Sequence, residues 1–209
     1  MVENEQEIEA KFMVRDRQAV QRKLEALGGV LESPRVHEIN LRFDTAAGEL
    51  AGGRKVLRLR QDSNAVLTFK GPAQTGQEVS VRQEIEFEVS DFAAARRLLE
   101  ALGYHVAVMY EKFRTTYHLR HLVVVLDEMP YGDFVEIEGR SAREIHAAAN
   151  QIGLRWETRS ALSYLALFEE ARLAHTLPES DLSFEALRGI QVSPAALGLR
   201  YADEQAPAA

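Results

Sequence analysis

Apolar and polar residues alternate in several short stretches of this chain, the mark of a strand with one face buried. In "QEIEAKFMV" (6–14), Glu7, Glu9, Lys11 and Met13 share one face while Ile8, Ala10, Phe12 and Val14 share the other. "VHEINLRFD" (36–44) sets Ile39, Leu41 and Phe43 against Glu38, Asn40, Arg42 and Asp44. "KVLRLRQ" (55–61) and "AVLTFKG" (65–71) flank the turn residues Asp62-Ser63-Asn64, which predicts a hairpin. "EVSVRQEIEFEV" (78–89) alternates Arg82, Glu84, Glu86 and Glu88 with Val81, Gln83, Ile85, Phe87 and Val89. "VAVMYEKFRTTYHLR" (106–120) and "HLVVVLDEM" (121–129) predict a second hairpin, and "YGDFVEIEG" (131–139) an eighth strand.

Elsewhere the period lengthens to that of a helix. "RDRQAVQRKLEALGG" spaces Val20, Leu24 and Leu27 along one stripe and stops at Gly28-Gly29. "FAAARRLLEALG" follows a cap at Ser90 or Asp91. A third helix starts at Ser141, with Glu144 completing a capping box, and runs to Gly153. "SALSYLALFEEARLA" (160–174) is a fourth. Residues 45–54 read as a glycine-bearing loop. Residues 171–209 form an extension, with one short helix over "SDLSFEALRG" (180–189) and a disordered last dozen residues. The main domain therefore spans residues 1–170.

Glu-Ile-Glu occurs at 7–9, 84–86 and 136–138, and "LEALG" closes both of the first two helices. About eight strands, with amphipathic helices inserted between hairpins, predict an α+β fold. It is an eight-stranded antiparallel β-barrel with helices packed outside. The helices need an apolar surface, and Ile8, Phe12, Ile85, Phe87, Val135 and Ile137 supply one. Trp156 is expected to cover a barrel end, and Tyr164 either closes a mouth or packs in the core.

Composition narrows the chemistry. The 209 residues include no cysteine, which excludes thiolate metal sites and a cysteine nucleophile. No apolar run reaches the roughly 20 residues that span a bilayer, so a cytoplasmic protein without membrane contact is expected. A net charge of −7 argues against broad nucleic-acid binding but leaves room for a local cationic site. The histidines show no metal-ligand spacing, and Ser163 lacks a nucleophile-elbow context.

The polar strand faces carry such a site. Their acids are Glu7, Glu9, Glu84, Glu86, Asp127, Glu136 and Glu138; their bases are Lys11, Arg58, Arg60, Lys70, Arg82, Lys112 and Arg114. Facing water, these charges would be weak surface ion pairs. Turned inward, they would need partners or a ligand. A triphosphate fits both halves of this inventory. Arginine forks and lysines grip phosphate oxygens, and the carboxylates hold one or two Mg²⁺ or Mn²⁺ ions.

In this order the motifs resemble those of the CYTH domain family, the triphosphate tunnel metalloenzymes. Glu7-x-Glu9-x-Lys11 resembles the family's E-x-E-x-K, "VLRLR" its L-R-x-R strand and "LTFKGP" its T-x-K-G-P strand. "RQEIE", "EKFR", "VVLDEMPYGDFVEIE" and "SYLALF" resemble the later motifs, so the likeness runs from residue 7 to 168. It departs at Leu41, where a polar or aromatic residue is usual, and at Leu162, which stands where lysine often precedes Ser-Tyr.

The resemblance implies an eight-stranded tunnel with metal on Glu7, Glu9, Glu136 and Glu138, joined by Glu84, Glu86 and Asp127. It implies phosphate binding by Lys11, Arg58, Arg60, Lys70, Arg82, Lys112 and Arg114. Glu7, Glu9, Lys11, Glu136 and Glu138 form the implied catalytic group. The implied reaction is metal-dependent hydrolysis of tripolyphosphate, thiamine triphosphate or a nucleoside triphosphate. The alternatives are class IV adenylate cyclase chemistry, with ATP giving 3′,5′-cyclic AMP and pyrophosphate, and a non-catalytic polyphosphate-binding module. The expected partner is the small triphosphate, and the chain is a candidate homodimer.

Overall fold

The structure, a computed structural model, describes residues 6–175 and 182–204. Its strands are β1 (Gln6–Val14), β2 (Val30–Thr45), β3 (Val56–Gln61), β4 (Ala65–Lys70), β5 (Ser80–Val89), β6 (Tyr104–Leu119), β7 (Leu122–Met129) and β8 (Gly132–Glu138). Helices α1 (Arg17–Ala26), α2 (Glu49–Gly52), α3 (Phe92–Ala101), α4 (Ala142–Ile152) and α5 (Tyr164–His175) lie between and after them. All strand pairs are antiparallel, and the sheet closes in the order β1-β5-β4-β3-β2-β6-β7-β8. The eight strands and their ring thus match the expectation.

Local chemistry sets the helix limits. Asp16 and Asp91 accept hydrogen bonds from the backbone N–H groups of Ala19 and Ala94, and Ser141 does so from Glu144. The two "LEALG" copies end at Gly28 and Gly103, with φ of +87° and +93°, a left-handed turn that favours glycine.

Closure sends the apolar strand faces outward, beneath the helices. Phe12, Val135, Ile137, Val124 and Leu126 are buried under α1 and α4, against Leu24, Ile145, Ala149 and Ile152. Each such side chain contributes roughly 1.5–3 kcal/mol by leaving water. A smaller cluster places Leu99 of α3 on Leu41, Phe43 and Leu59. The third joins Met13, Met129 and Phe134, where β1 and β7 end and β8 begins, to Leu167 and Phe168 of α5 and to Leu182, Leu187 and Leu197. Here α5 lies across one end of the ring. Among the described residues no helix is long and apolar enough to cross a membrane.

Several expectations need correction. Ile85 and Phe87 are 44% and 54% exposed, because α3 packs on β3 and β6 rather than on β5. Trp156 sits on the outer wall, stacked on His146 with ring centroids 4.4 Å apart and beside Phe12, not at a barrel end. The expected loop contains the short helix α2, and β2 starts six residues early, with irregular pairing near Ser33.

The extension also differs from its reading. Residues 180 and 181 lie outside the described residues; from Ser183 to Gly189 the chain makes turns instead of a helix. Leu182 joins the edge of β6, accepting from Glu111 N–H and donating to Met109 C=O, both at 3.0 Å. Of the last dozen residues, 205–209 lie outside the described residues; among 198–204, Ala202 is fully buried and its N–H donates to Met13 C=O at 2.8 Å. The Asp203 carboxylate accepts from the Arg15 and Asp16 N–H groups. The backbone groups at the end of β1 supply this order, and local composition does not report them.

Candidate active site

Inside the ring lies a cavity of about 570 Å³. Strand register decides what lines it. Glu7 stands opposite Arg82, Lys11 opposite Glu136, and Glu9 opposite Glu138. Lys70 faces Glu84, Thr68 faces Glu86, Glu38 faces Lys112, and Arg114 faces Asp127. Because side chains alternate between faces, these registers send every charged face inward. Of the residues expected from sequence, Glu7, Glu9, Lys11, Arg58, Arg60, Lys70, Arg82, Glu84, Glu86, Lys112, Arg114, Glu136 and Glu138 all line the cavity.

Asp127, expected among the metal ligands, does not line it. It is on the inward face of β7 but is fully buried beneath Lys112, Arg114 and Tyr164, which line the cavity in its place. Its two oxygens accept from Lys112 at 3.0 Å, from Arg114 at 2.7 and 2.6 Å, and from the Tyr164 hydroxyl at 2.8 Å. Lys11 and Lys112 also lie 4.5 and 5.3 Å from the centre of the Tyr164 ring. The aromatic face supports both ammonium groups. Burial and the charges of Asp127 and Glu136 hold the Tyr164 phenol protonated, so it remains a donor.

The wall around β2, β3, β6 and β7, completed by Lys11 of β1, Glu86 of β5 and Glu136 of β8, is a paired network. Glu136 is 2.7 Å from both Lys11 and Arg114. Burial would raise its pKa, but Lys11 and Arg114 hold it well below the usual carboxylate range. Glu38 lies 3.5 Å from Lys112 and 3.8 Å from Arg114; against the penalty of burial, these cations bring its pKa down to about 2. Glu86 accepts from Thr68 at 2.7 Å and lies 3.4 Å from Arg58. Arg60 is 3.1 Å from Asp62.

The wall around β1, β5 and β8 is crowded with acid. Lys70 lies 2.6 Å from Glu7 and 3.1 Å from Glu84, and Arg82 lies 2.9 Å from Glu7. Lys70 and Arg82 outweigh burial at Glu7, whose pKa falls to about 2. Its neighbours go the other way. Burial, then the charge of Glu7, pushes Glu84 up to about 7 despite Lys70. Burial, Glu7 and Glu9 push Glu138 up to about 7. Burial and Glu136 raise Glu9, whose cationic neighbours Lys11 and Arg82 are 3.8 and 3.7 Å away. Among the described residues Glu138 makes no ion pair.

The donor chemistry of this wall suits a hard divalent cation, which takes carboxylate oxygens. Glu9, Glu84 and Glu138, whose pKa values are raised beside the ionised Glu7, carry acid that such a charge would neutralise. As they stand, no three acidic or histidine side chains among the described residues are gathered into a ready cluster. The fit is therefore one of charge and ligand type.

Sequence reasoning missed Glu38, Arg42 and Tyr110, all of which line the cavity. Glu38 and Arg42 share the polar face of "VHEINLRFD", and Tyr110 has the parity of Lys112 and Arg114. The signal was alternation itself; the E-x-E and K-x-R spacings that drew attention passed them by.

The sequence model of the CYTH domain matches residues 5–163. No curated protein matches the chain. A Vibrio parahaemolyticus structure described as a "putative adenylate cyclase" superposes with a TM-score of 0.72 at 21% identity, over 80% of this chain and 99% of that one. The PH1012 protein of Pyrococcus horikoshii OT3 gives 0.65 at 26% identity, over 76% and 97%. HpAC1 of Hippeastrum gives 0.59 at 23%, over 78% and 95%. With a charge-lined ring of eight antiparallel strands and a family match over three quarters of its length, this chain belongs to the CYTH domain family.

Proposed function

We propose that this chain is a divalent-metal-dependent triphosphatase that binds a linear triphosphate within the ring and hydrolyses its terminal phosphoanhydride. One observation carries the reading: the cavity inside the ring sets a wall rich in lysine and arginine against a wall of surplus carboxylate. A triphosphate alone would be repelled by the second wall, and a cation alone by the first.

Lys11, Arg58, Arg60, Lys112 and Arg114 take phosphate oxygens, with Lys70 and Arg82 at the boundary between the walls. Glu9 and Glu138, with Glu7 and Glu84, hold the metal. When bound, the ion offsets phosphate charge and acidifies water. Glu136 and Asp127 keep Lys11, Lys112 and Arg114 aimed inward, so these donors need no reorganisation as charge develops on the transferred phosphoryl group. Tyr164 braces Asp127 from the closed end and helps keep bulk water from that side.

The test is product analysis with tripolyphosphate, thiamine triphosphate and ATP, each with Mg²⁺ and Mn²⁺. Orthophosphate release is expected. Pyrophosphate with cyclic AMP would replace hydrolysis by cyclisation. Tight triphosphate binding without turnover under either metal would leave a binding module.

A further inference from the structure

Residues 182–204 lie beyond the stretch matched to the CYTH domain, which ends at 163. They are nonetheless built into the strands that carry the cationic donors. β7 pairs with β6 only from Phe113 onward, so the β6 edge at Met109–Glu111, on the side away from β2, lies beyond its reach. Such an edge presents backbone groups that need partners. Leu182 takes that place as a single residue in parallel pairing with Tyr110. It donates to Met109 C=O and accepts from Glu111 N–H, both at 3.0 Å. The Glu111 carboxylate accepts from Phe184 N–H at 2.7 Å, and the Phe184 ring packs on Phe113 with centroids 5.1 Å apart. This anchor grips β6 on both sides of Tyr110 and one residue before Lys112.

A second anchor lies at the end of β1. Ala202 N–H reaches Met13 C=O, two residues past Lys11. Arg155 ties the same stretch down, donating from its N–H to Ala202 C=O at 3.0 Å and from its guanidinium to Tyr201 C=O at 2.8 Å. Asp203 accepts from Arg15 and Asp16 N–H at 2.9 and 2.8 Å. Between the anchors, Leu187 and Leu197 are buried in one cluster with Leu167, Phe168 and Ala171 of α5. The turn Pro194–Leu197 packs directly on that helix.

Helix α5 is therefore held between the ring and the extension. Its first residue is Tyr164, which donates to Asp127 and lies close to Lys11 and Lys112. A 12-residue helix is marginal alone, and its first turn is the least held by its own hydrogen bonds. The position of Tyr164 thus depends on what packs against α5. The strands fastened by the extension, β1 and β6, are the ones that carry these two lysines.

We propose that residues 182–204 act as a strap that positions the cationic wall. Fastened to β6 and β1, the strap presses α5 onto the ring and so fixes Tyr164 beside Lys11 and Lys112. None of its described residues lines the cavity, so they are positioning residues. The triphosphate reading enters only through what the lysines bind; the clamp on α5 stands apart from it.

The test uses full-length variants, each first checked by thermal melting. Leu182→Asp puts a charge in a fully buried apolar seat and opens the β6 anchor. Asp203→Ala opens the β1 anchor more gently, and Asp203→Asn keeps an acceptor oxygen. In the ligand-free protein, amide hydrogen exchange along α5 should rise at least about tenfold in Leu182→Asp and Asp203→Ala while α4 is unchanged. With tripolyphosphate, kcat/KM should fall about tenfold in Asp203→Ala, further in Leu182→Asp, and recover in Asp203→Asn. Because the strap acts through Tyr164, either variant should cost less than about threefold more in a Tyr164→Phe background. Titration calorimetry gives the same cycle on affinity if there is no turnover. Unchanged exchange along α5, or losses that multiply fully with Tyr164→Phe, overturns the strap. Asp203→Ala decides alone if Leu182→Asp does not fold. If wild type neither binds nor hydrolyses tripolyphosphate but α5 loosens as expected, the triphosphate reading falls and the strap stands. If turnover is intact and the variants match wild type, only the strap falls.

Discussion

The two walls of the cavity differ in how their charges are settled, and the difference separates structure from function. On β6 and β7, and at Glu136 of β8, the carboxylates that face the ring have cations at close range. Asp127 holds Lys112 and Arg114, and Glu136 holds Lys11 and Arg114. Lys11 and Arg114 hold Glu136 ionised against the penalty of its burial. Around β1 and β5, Lys70 and Arg82 satisfy Glu7 but leave Glu9, Glu84 and Glu138 with raised pKa values. A group kept in an unfavourable state by its fold is a candidate for a ligand. The paired wall presents donors, and the unpaired wall awaits a counter-charge.

The largest test of this contrast is Asp127→Ala. It strands Lys112 and Arg114 in a buried site, and breaking such pairs costs about 3–5 kcal/mol. Urea denaturation should show a loss of that order, together with loss of turnover. A change under 1 kcal/mol would remove the structural role given to this residue.

A matched pair comes next. Glu136→Gln removes the partner of Lys11 and should destabilise the metal-free protein by roughly 1–3 kcal/mol. Glu138→Gln removes an acid from a crowd of acids and should leave the metal-free protein as stable or more so, while activity falls at least about tenfold through lost metal affinity. Equal destabilisation by both would erase the distinction between the walls.

Titration separates the walls by sign. In the metal-free protein Glu84 and Glu138 have folded pKa values near 7, above the ordinary 4.5. The folded state thus binds more protons between these values, and their contribution to stability declines as pH rises from about 4.5 to 7. Glu7 and Glu38, lowered to about 2, act oppositely: their contribution is present above about 4.5 and is lost as pH falls towards 2. Denaturation in EDTA across pH should show Glu84→Gln with Glu138→Gln flattening the decline towards neutrality and leaving the acid limb in place.

The smallest effect lies outside both walls. Phe87→Ser changes a half-exposed side chain and should shift stability by no more than about 0.5 kcal/mol. Phe12→Ala, beneath Trp156, should cost about 3–5 kcal/mol. Equal losses would mean that the β5 outer face is covered in solution.

Much of the site was legible because a strand reports its faces directly. Glu7-x-Glu9-x-Lys11 and Lys112-x-Arg114 announce that their charges share a side, and the amphipathic helices imply that the other side is covered. What could not be read was depth. Asp127 has the parity of a ligand yet lies beneath the cavity lining, because Tyr164 and two cations enclose it. Ile85 and Phe87 alternate as buried positions do, yet among the described residues they stay 44% and 54% exposed because α3 packs on β3 and β6. Leu182 and Ala202 carry no periodic signal; they are ordered by free backbone groups on β6 and β1.

By itself the sequence determined the period of each element, the parity of each charge and the places where helices stop. These depend on neighbours a few residues away and on backbone geometry that every strand and helix shares. Only the tertiary structure decided which charges neutralise one another and which remain unsatisfied. That outcome turns on distances across the ring and on exclusion of water, neither of which a linear pattern contains.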